Sequence, residues 1–324
     1  MKRSGKAPDG DQVRSTLVQV ARLYYEENLS QQQIADRLGV SRPLIAQYLQ
    51  RARDAGIVRI QIIDQDDACA QLGLAIKNKA RIKHVTVVPN PHVSQELAVH
   101  AVAAAAADFM TGQVRDDDTV GLAWGRTISI VVDQLGSSTA HGIDVFPLMG
   151  ECGLSGMHSQ MNQLVVRAAE RLRATPRFLS LPMVVSTSTL RDDLLREVGI
   201  REVTNLWNRI NLACVGIGVV PPVPGMVVYI GEEHLPQLVE AGAVGDICGI
   251  YYDRDGRIIE SGLEDRMIAA GVDQLRAIDC LTAVACGEDK VAAVLGALRT
   301  GLISSLFIDQ NMAEQMLAGL AASK

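Results

Sequence analysis

The sequence predicts an α/β protein in two parts: a small all-α helix-turn-helix unit, then a large Rossmann-like body built on a mainly parallel sheet. Three observations carry that prediction. Residues 30–55, SQQQIADRLGVSRPLIAQYLQRARDA, read as two short helices joined by a tight turn. From about Ile82 onward, β-rich runs alternate with longer helical stretches. Charge is also divided unevenly, with ten Lys or Arg against six Asp or Glu in residues 1–60, although the 324-residue chain holds 31 against 37. The first segment therefore carries +4 and the remainder −10, so one end suits a phosphate backbone and the other does not.

Taking the elements in order, residues 12–28 predict a helix with Val13, Leu17, Val20, Ala21 and Tyr24 on its inward side. Ser30 and Gln33 stand in the S-x-x-Q arrangement, in which hydroxyl and amide satisfy two orphan backbone donors, so a second helix starts at about Gln31. Ile34, Ala35 and Leu38 recur at helical spacing, and Gly39 supplies the permissive backbone for a sharp turn. Ser41 is expected to cap a third helix, with Pro43 in the first turn, where a missing N–H costs nothing. Leu44, Ile45, Tyr48 and Leu49 form its inward face. Gly56 should end it, and IVRIQII reads as a short strand or wing.

The outward residues of the third helix suit double-stranded DNA. Arginine pairs two-pronged with guanine or phosphate, glutamine reads adenine, and the recognition helix of this motif offers its N-terminal residues to base edges. Ser41, Arg42, Pro43, Gln47 and Arg51 are the predicted DNA-binding residues. A helical hairpin with a merely solvated face is the alternative, which the spacing as a whole disfavours.

The chain is too long for one typical domain, and its first 60 residues are too few for the main core. Boundaries are expected at 1–63 for the helix-turn-helix domain, 64–81 for a helical linker and 82–324 for the large domain. No apolar run is long enough to span a membrane, and no apolar core follows the basic start MKRSGKAPDGDQ, which together predict a cytoplasmic protein with no membrane partner. Cys69, Cys152, Cys214, Cys248, Cys280 and Cys286 are scattered without a C-x-x-C pair and are expected to be buried reduced thiols. The histidines, among them His92, His100 and His158, have no acidic or cysteine partner at ligand spacing, so no metal and no cofactor is predicted. His100, in an alanine-rich helix, is expected to be partly buried.

In the large domain the expected strands are HVTVVP, DTVGLAW, IDVFPLM, RFLSLP, LACVGIG, VGDICGIYYD, CLTAVACG and SLFID. Helices are expected between them, at QELAVHAVAAAAADFM, RTISIVVDQL, QMNQLVVRAAERL, HLPQLVEAG, DKVAAVLGALRTG and NMAEQMLAGLA. Open α/β sheets bind ligands beyond the carboxyl ends of their strands. There VGLAWGRT brings Gly125, Arg126 and Thr127 to a helix start, in outline a phosphate cradle. PLMGECG places Gly150 at another strand end, and HSQMN places Gln160 and Asn162 where amides bind sugar hydroxyls. Asp246 lies in GDICG, while Asp253 and Asp255 in DRDG read as turn residues. Lys290 opens a helix in VACGEDK, where its charge opposes the helix dipole and so favours a functional role.

These segments together resemble the SorC/DeoR family of bacterial transcriptional regulators, the sugar-binding domain family, over nearly the whole chain. The carrying stretches are residues 21–62, VGLAWGRT, PLMGECG, VGIG, AGAVGDICGIYYDRDGR and VACGEDKVAAVLGALRTGLISSLFIDQNMAEQML. The resemblance implies an effector domain of the NagB/RpiA/CoA-transferase type, a phosphorylated sugar or related metabolite as inducer, and tetramers on paired operator sites; a homo-oligomer, dimer or tetramer, is expected. It places the phosphate-binding turn on Gly125, Arg126 and Thr127, the amide contacts near Gln160 and Asn162, the acidic contact near Asp246 and the strand-end lysine on Lys290. Arg126 departs from the small residue common there, and Glu151 and Cys152 replace further glycine. An enzyme of sugar-phosphate isomerisation or deamination, with Asp246, His158 and Lys290 moving protons, is the competing expectation.

Overall fold

The computed structural model describes residues 10–58, 68–90, 94–151, 160–221 and 234–322, and the chain divides into two compact units, Met1–Asp66 and Asp67–Lys324. The first unit consists of α1 (Gly10–Tyr25), α2 (Gln31–Leu38) and α3 (Arg42–Asp54). At the start of α2 the Ser30 N–H donates to Gln33 Oε1 at 2.9 Å and the Gln33 N–H donates to Ser30 Oγ at 3.3 Å, which is the reciprocal cap expected. Gly39, at φ 64°, closes α2 with its N–H on the Ala35 carbonyl. Ser41 sits at the cap position of α3, but its hydroxyl makes no capping bond. The second side-chain cap is thus corrected; Pro43 in the first turn presets the helical φ there instead.

Leu17, Val20, Ala21, Leu23, Ile34, Ala35, Ile45, Leu49 and Ala52 form the interior of this unit. Tyr24, Leu44 and Tyr48 are only half-buried. Gly56, at φ 66°, turns the chain out of α3, and Ile57 and Val58 both donate to the Ala52 carbonyl, at 2.8 and 3.1 Å. They pack on Leu17 and Ala21 rather than forming a strand, and the rest of the expected wing lies outside the described residues.

The second unit runs α4 (Ala68–Ala80), β1 (His84–Val88), α5 (Gln95–Gln113), β2 (Thr119–Leu122), α6 (Arg126–Gln134), β3 (Asp144–Pro147), α7 (Met161–Leu172), β4 (Thr175–Pro176), α8 (Ser188–Arg196), α9 (Val198–Thr204), β5 (Leu212–Gly216) and β6 (Gly218–Val219). It continues α10 (Leu235–Glu240), β7 (Ala243–Ile247), β8 (Ile250–Asp253), α11 (Val272–Ala277), β9 (Cys280–Val284), α12 (Val291–Arg299), β10 (Ser305–Asp309) and α13 (Gln310–Ala322). A parallel sheet has the order β1-β10-β9-β5-β2-β3-β4, and β6-β7-β8 form a separate antiparallel ribbon. Helices cover both faces of such a sheet, so β2 and β10 are buried at every residue and read as unbroken apolar runs.

Three expectations change. The segment read as a linker helix forms α4, which belongs to the large unit: Cys69, Gly73 and Ile76 are buried, and a Cβ on Gly73 would stand 3.1 Å from the Val85 carbonyl of β1. The run VGDICGIYYD is not one strand but a hairpin, because Cys248 and Gly249 at φ 55° and 79° fold β8 back on β7. RFLSLP is displaced too; the paired residues are Thr175 and Pro176, and the chain then leaves β3. The helices α8, α9 and α11 were not expected. α8 fully buries no residue, and only Leu194 and Leu195 pack, half-buried, against the core.

Candidate functional site

In the first unit Ser41, Arg42, Pro43, Gln47 and Arg51 are all exposed. Pro43, Gln47 and Arg51 follow at four-residue steps and so share one row of α3. Gln50 donates to Asp54 at 2.8 Å and Arg53 donates to Gln50 at 2.6 Å, which ties those side chains down along the helix. The side chains of Arg42 and Arg51 make no hydrogen bond or ion pair among the described residues. The exposed side of α3 therefore presents the Ser41 hydroxyl and the Arg42 guanidinium at its start, the Gln47 amide midway and the Arg51 guanidinium in its last turn.

In the second unit the strand register assembles the other candidates. All strands of the large sheet are parallel, so the turns after β1, β10, β9, β5, β2 and β3 lie along one edge. Gly125 follows β2 at φ 127°, a conformation other residues rarely adopt, and no atom lies within 4 Å of where its Cβ would be. It opens α6 with no side-chain cap, so the first N–H groups of that helix face outward unclaimed by a side chain. Thr127 is half-buried, while exposed Arg126 donates to Glu96 Oε1 of α5 at 3.4 Å.

Lys290, after β9, and Asp246 act on each other's charge, but Asp246 lies within β7 of the separate ribbon, opposite Gly218, rather than at a strand end of the large sheet. Lys290 Nζ donates to the Ile217 carbonyl at 2.9 Å; the Asp246 carboxylate covers Gly218 and accepts the Gly249 N–H at 3.0 Å. Burial pushes the Lys290 ammonium below its ordinary pKa, against the opposing fields of Asp289, Asp246 and Cys286. Burial likewise raises the Asp246 carboxyl, against the Gly249 N–H and the Lys290 charge. Each group thus steadies the charge of the other in a place that favours neither. The Cys286 thiol, pushed up to about 12 by burial and then by Asp309, is inert.

Other candidates have structural duties. The Gly150 N–H donates to the Ile268 carbonyl at 2.8 Å, and a Cβ there would lie 2.6 Å from the Leu181 carbonyl oxygen. Its N–H is therefore spent on a crossing of two backbone segments. Asn162 Oδ1 accepts the Leu179 N–H at 3.2 Å, and Nδ2 reaches Ser180 Oγ at 3.5 Å, so this amide brackets the chain after β4. Gln160, exposed at the start of α7, makes no side-chain cap and stays available. Asp253 accepts the N–H groups of Asp255 and Arg257 at 2.8 and 2.9 Å, the turn role expected of it. His100 is exposed rather than partly buried, and His92, Cys152 and His158 lie outside the described residues.

Three residues were not singled out for these positions. Glu151 accepts the Met161 and Asn162 N–H groups at 2.7 and 2.9 Å and so caps α7. Asp309, 2% exposed, accepts from Gly287 at 3.0 Å, from Asn90 at 3.1 Å and from Met312 at 3.1 Å, tying the ends of β1, β9 and β10 to α13. Gln95 overlies Gly287, whose Cβ would stand 2.5 Å from its Nε2. For Asp309 the available signal was an acid between an apolar strand and a helix start, a cap in the making.

A DNA-reading helical unit carried by one chain with a domain whose strand ends gather donors and buried charge is the build of a ligand-responsive transcriptional regulator. Residues 65–318 match the Sugar-bind family model, a sugar-binding domain, and residues 22–55 match sigma-70 region 4. The chain is 30% identical to the deoxyribonucleoside regulator of Bacillus subtilis (strain 168), over 94% of this chain and 97% of that one. It is 27% identical to the sorbitol operon regulator of Klebsiella pneumoniae, covering 95% and 99%. The crystal structure of that full-length regulator superposes with a TM-score of 0.82 at 26% identity, over 96% of this chain and all of the other. The chain belongs to the SorC/DeoR family of transcriptional regulators, with a helix-turn-helix DNA-binding unit and a sugar-binding domain. Among its described residues no helix is long and apolar enough to cross a membrane.

Proposed function

We propose that this regulator binds operator DNA through Ser41, Arg42, Pro43, Gln47 and Arg51, as a homo-oligomer in the cytoplasm, and that a small phosphorylated sugar or related metabolite controls its operator affinity. The phosphoryl group would lie on the uncapped start of α6 at Gly125, Arg126 and Thr127, where backbone donors and the helix dipole favour an anion. The sugar would extend toward Lys290, Asp246 and Gln160. The observation that carries this reading is the open turn at Gly125: it is held in a glycine conformation, lacks a side-chain cap and follows β2, whose neighbour β5 leads into Ile217, the carbonyl that holds Lys290.

Control of DNA binding requires two states with different ligand affinity. A ligand that prefers the DNA-incompetent state about 100-fold shifts the balance by about 2.7 kcal/mol, enough to release an operator held by a nearly balanced protein. The test is thermal melting of the full chain against phosphorylated and free sugars and polyols, since a ligand bound only by the native state raises the melting temperature. A shift with phosphorylated compounds, accompanied by altered binding to DNA from upstream of its own gene, is the expected result. A shift with free sugars alone would remove the phosphate from the Gly125 turn.

A further inference from the structure

Far from the turns described above, α8 and the start of α9 hold apolar side chains out to solvent. Leu190 is 41% exposed and Val198 62%, while Leu194 between them is half-buried. Leu190 and Leu194 share one row of α8 at a four-residue step, and Val198, four residues further, opens α9. The row is fixed on its domain. Thr187 Oγ1 accepts the Leu190 N–H at 3.1 Å, and Arg191 Nε donates to the Met267 carbonyl at 2.8 Å. A partner arriving here therefore has no segment to order first, which removes one cost of association.

The charges beside the row say what covers it. Counting outward from Leu194, Asp192 mirrors Arg196, Arg191 mirrors Glu197, and Leu190 mirrors Val198. A two-fold axis at Leu194 lays a second copy of this segment antiparallel to the first, so each position comes level with its mirror position on the partner. Each of these charges then stands level with its opposite, and the two exposed apolar side chains stand level with each other. Asp193, whose mirror position is Leu195, is answered within its own helix by Arg196 at 3.1 Å. We infer that the exposed row of α8 and the start of α9 form a two-fold contact between two copies of this chain, centred on Leu194. The inference rests on the homo-oligomer proposed above and gives it a surface. Apolar burial supplies the attraction, and the mirrored charges set the register and the antiparallel direction.

The experiment is sedimentation velocity of the full chain across a dilution series. The native chain is expected to run as an oligomer. Asp192→Arg sets an arginine level with Arg196 of the partner subunit, and Arg196→Asp sets an acid level with Asp192 of the partner subunit. Each single variant is expected to run at half the native mass, with the dissociation constant raised at least about 10-fold. An equal mixture of the two variants should recover the native mass, because the introduced arginine then meets the introduced aspartate and native Arg196 meets native Asp192. No change within one helix can produce that recovery. Val198→Asp, at the most exposed position of the row, should halve the mass without altering either charge, and it serves where a charge variant fails to fold. If the native chain is an oligomer and the single variants keep its mass, or their mixture does not recover it, the inference fails while the homo-oligomer stands. If the native chain is a monomer at every concentration and remains one on operator DNA, both fall.

Discussion

On α3 the candidate residues Arg42, Gln47 and Arg51 stand in solvent, and the two arginine side chains have no partner among the described residues, whereas Asp246 of the β6-β7-β8 ribbon and Lys290 after β9 are half-buried and bonded to backbone. The difference lies in what each set costs the fold. A side chain that touches nothing can be exchanged with little effect on stability. A buried charge lowers stability unless its partners compensate, and the lowered pKa of Lys290 says that here they do so incompletely. One set is inexpensive to keep and the other is retained against the interest of stability, which is the behaviour of a binding site.

The largest test of that contrast replaces both half-buried groups. Lys290→Met with Asp246→Asn is expected to hold or raise stability, by up to about 4 kcal/mol in denaturant unfolding, while abolishing any ligand-induced change in melting. The advantage should depend on pH. Below its depressed folded-state pKa Lys290 is charged in both states and its burial cost is full; above that value it gives up its proton in the fold and the cost is relieved. The double variant's advantage should therefore shrink as pH rises from neutral toward the ordinary lysine range, and a growing advantage would contradict the assigned direction.

Gly150→Ala probes the backbone crossing and should cost about 1–3 kcal/mol, because the atoms in the way are main-chain atoms of Leu181 and Pro182. Arg42→Ala should reverse that pattern, weakening operator binding by about 1–3 kcal/mol and relaxing base preference. Its melting temperature should stay within experimental scatter of the native one; an unchanged operator affinity would move the recognition surface off the start of α3. The smallest effect is expected for Ser30→Ala, a loss of about 1 kcal/mol confined to the first unit, seen as earlier hydrogen exchange of α2 with the sheet domain unaffected.

The same contrast decides what was legible in the sequence. The first unit is written in local signals, Ser30 with Gln33 and Gly39, which fix helix ends within a few residues of themselves. The parallel strands were legible because burial on both faces leaves apolar runs. The hairpin of β7 and β8 was not, because its turn places Cys248 in the left-handed region, and cysteine is no turn signal. At the site, Gly125 and Lys290 could be named from the strands they follow, while Asp246 proves to lie inside β7 of the ribbon. That Asn162 and Gly150 are occupied structurally, and that Glu151 fills the start of α7, depends on segments distant in sequence such as Leu179–Pro182 and Ile268. No periodicity reports such meetings.

The pairing of β1 with β10 orders events in time. β1 lies beyond β10 at the end of the sheet, and its paired neighbour is among the last elements made. A ribosome delivers the three-helix unit first, and that unit contains its own core and can fold while the rest is still being synthesised. β1 must then wait through more than two hundred residues for Ser305–Asp309 to emerge, with its edge unpaired in the meantime. A nascent chain stalled just short of β10 would present a finished DNA-reading unit on an unfinished sensor.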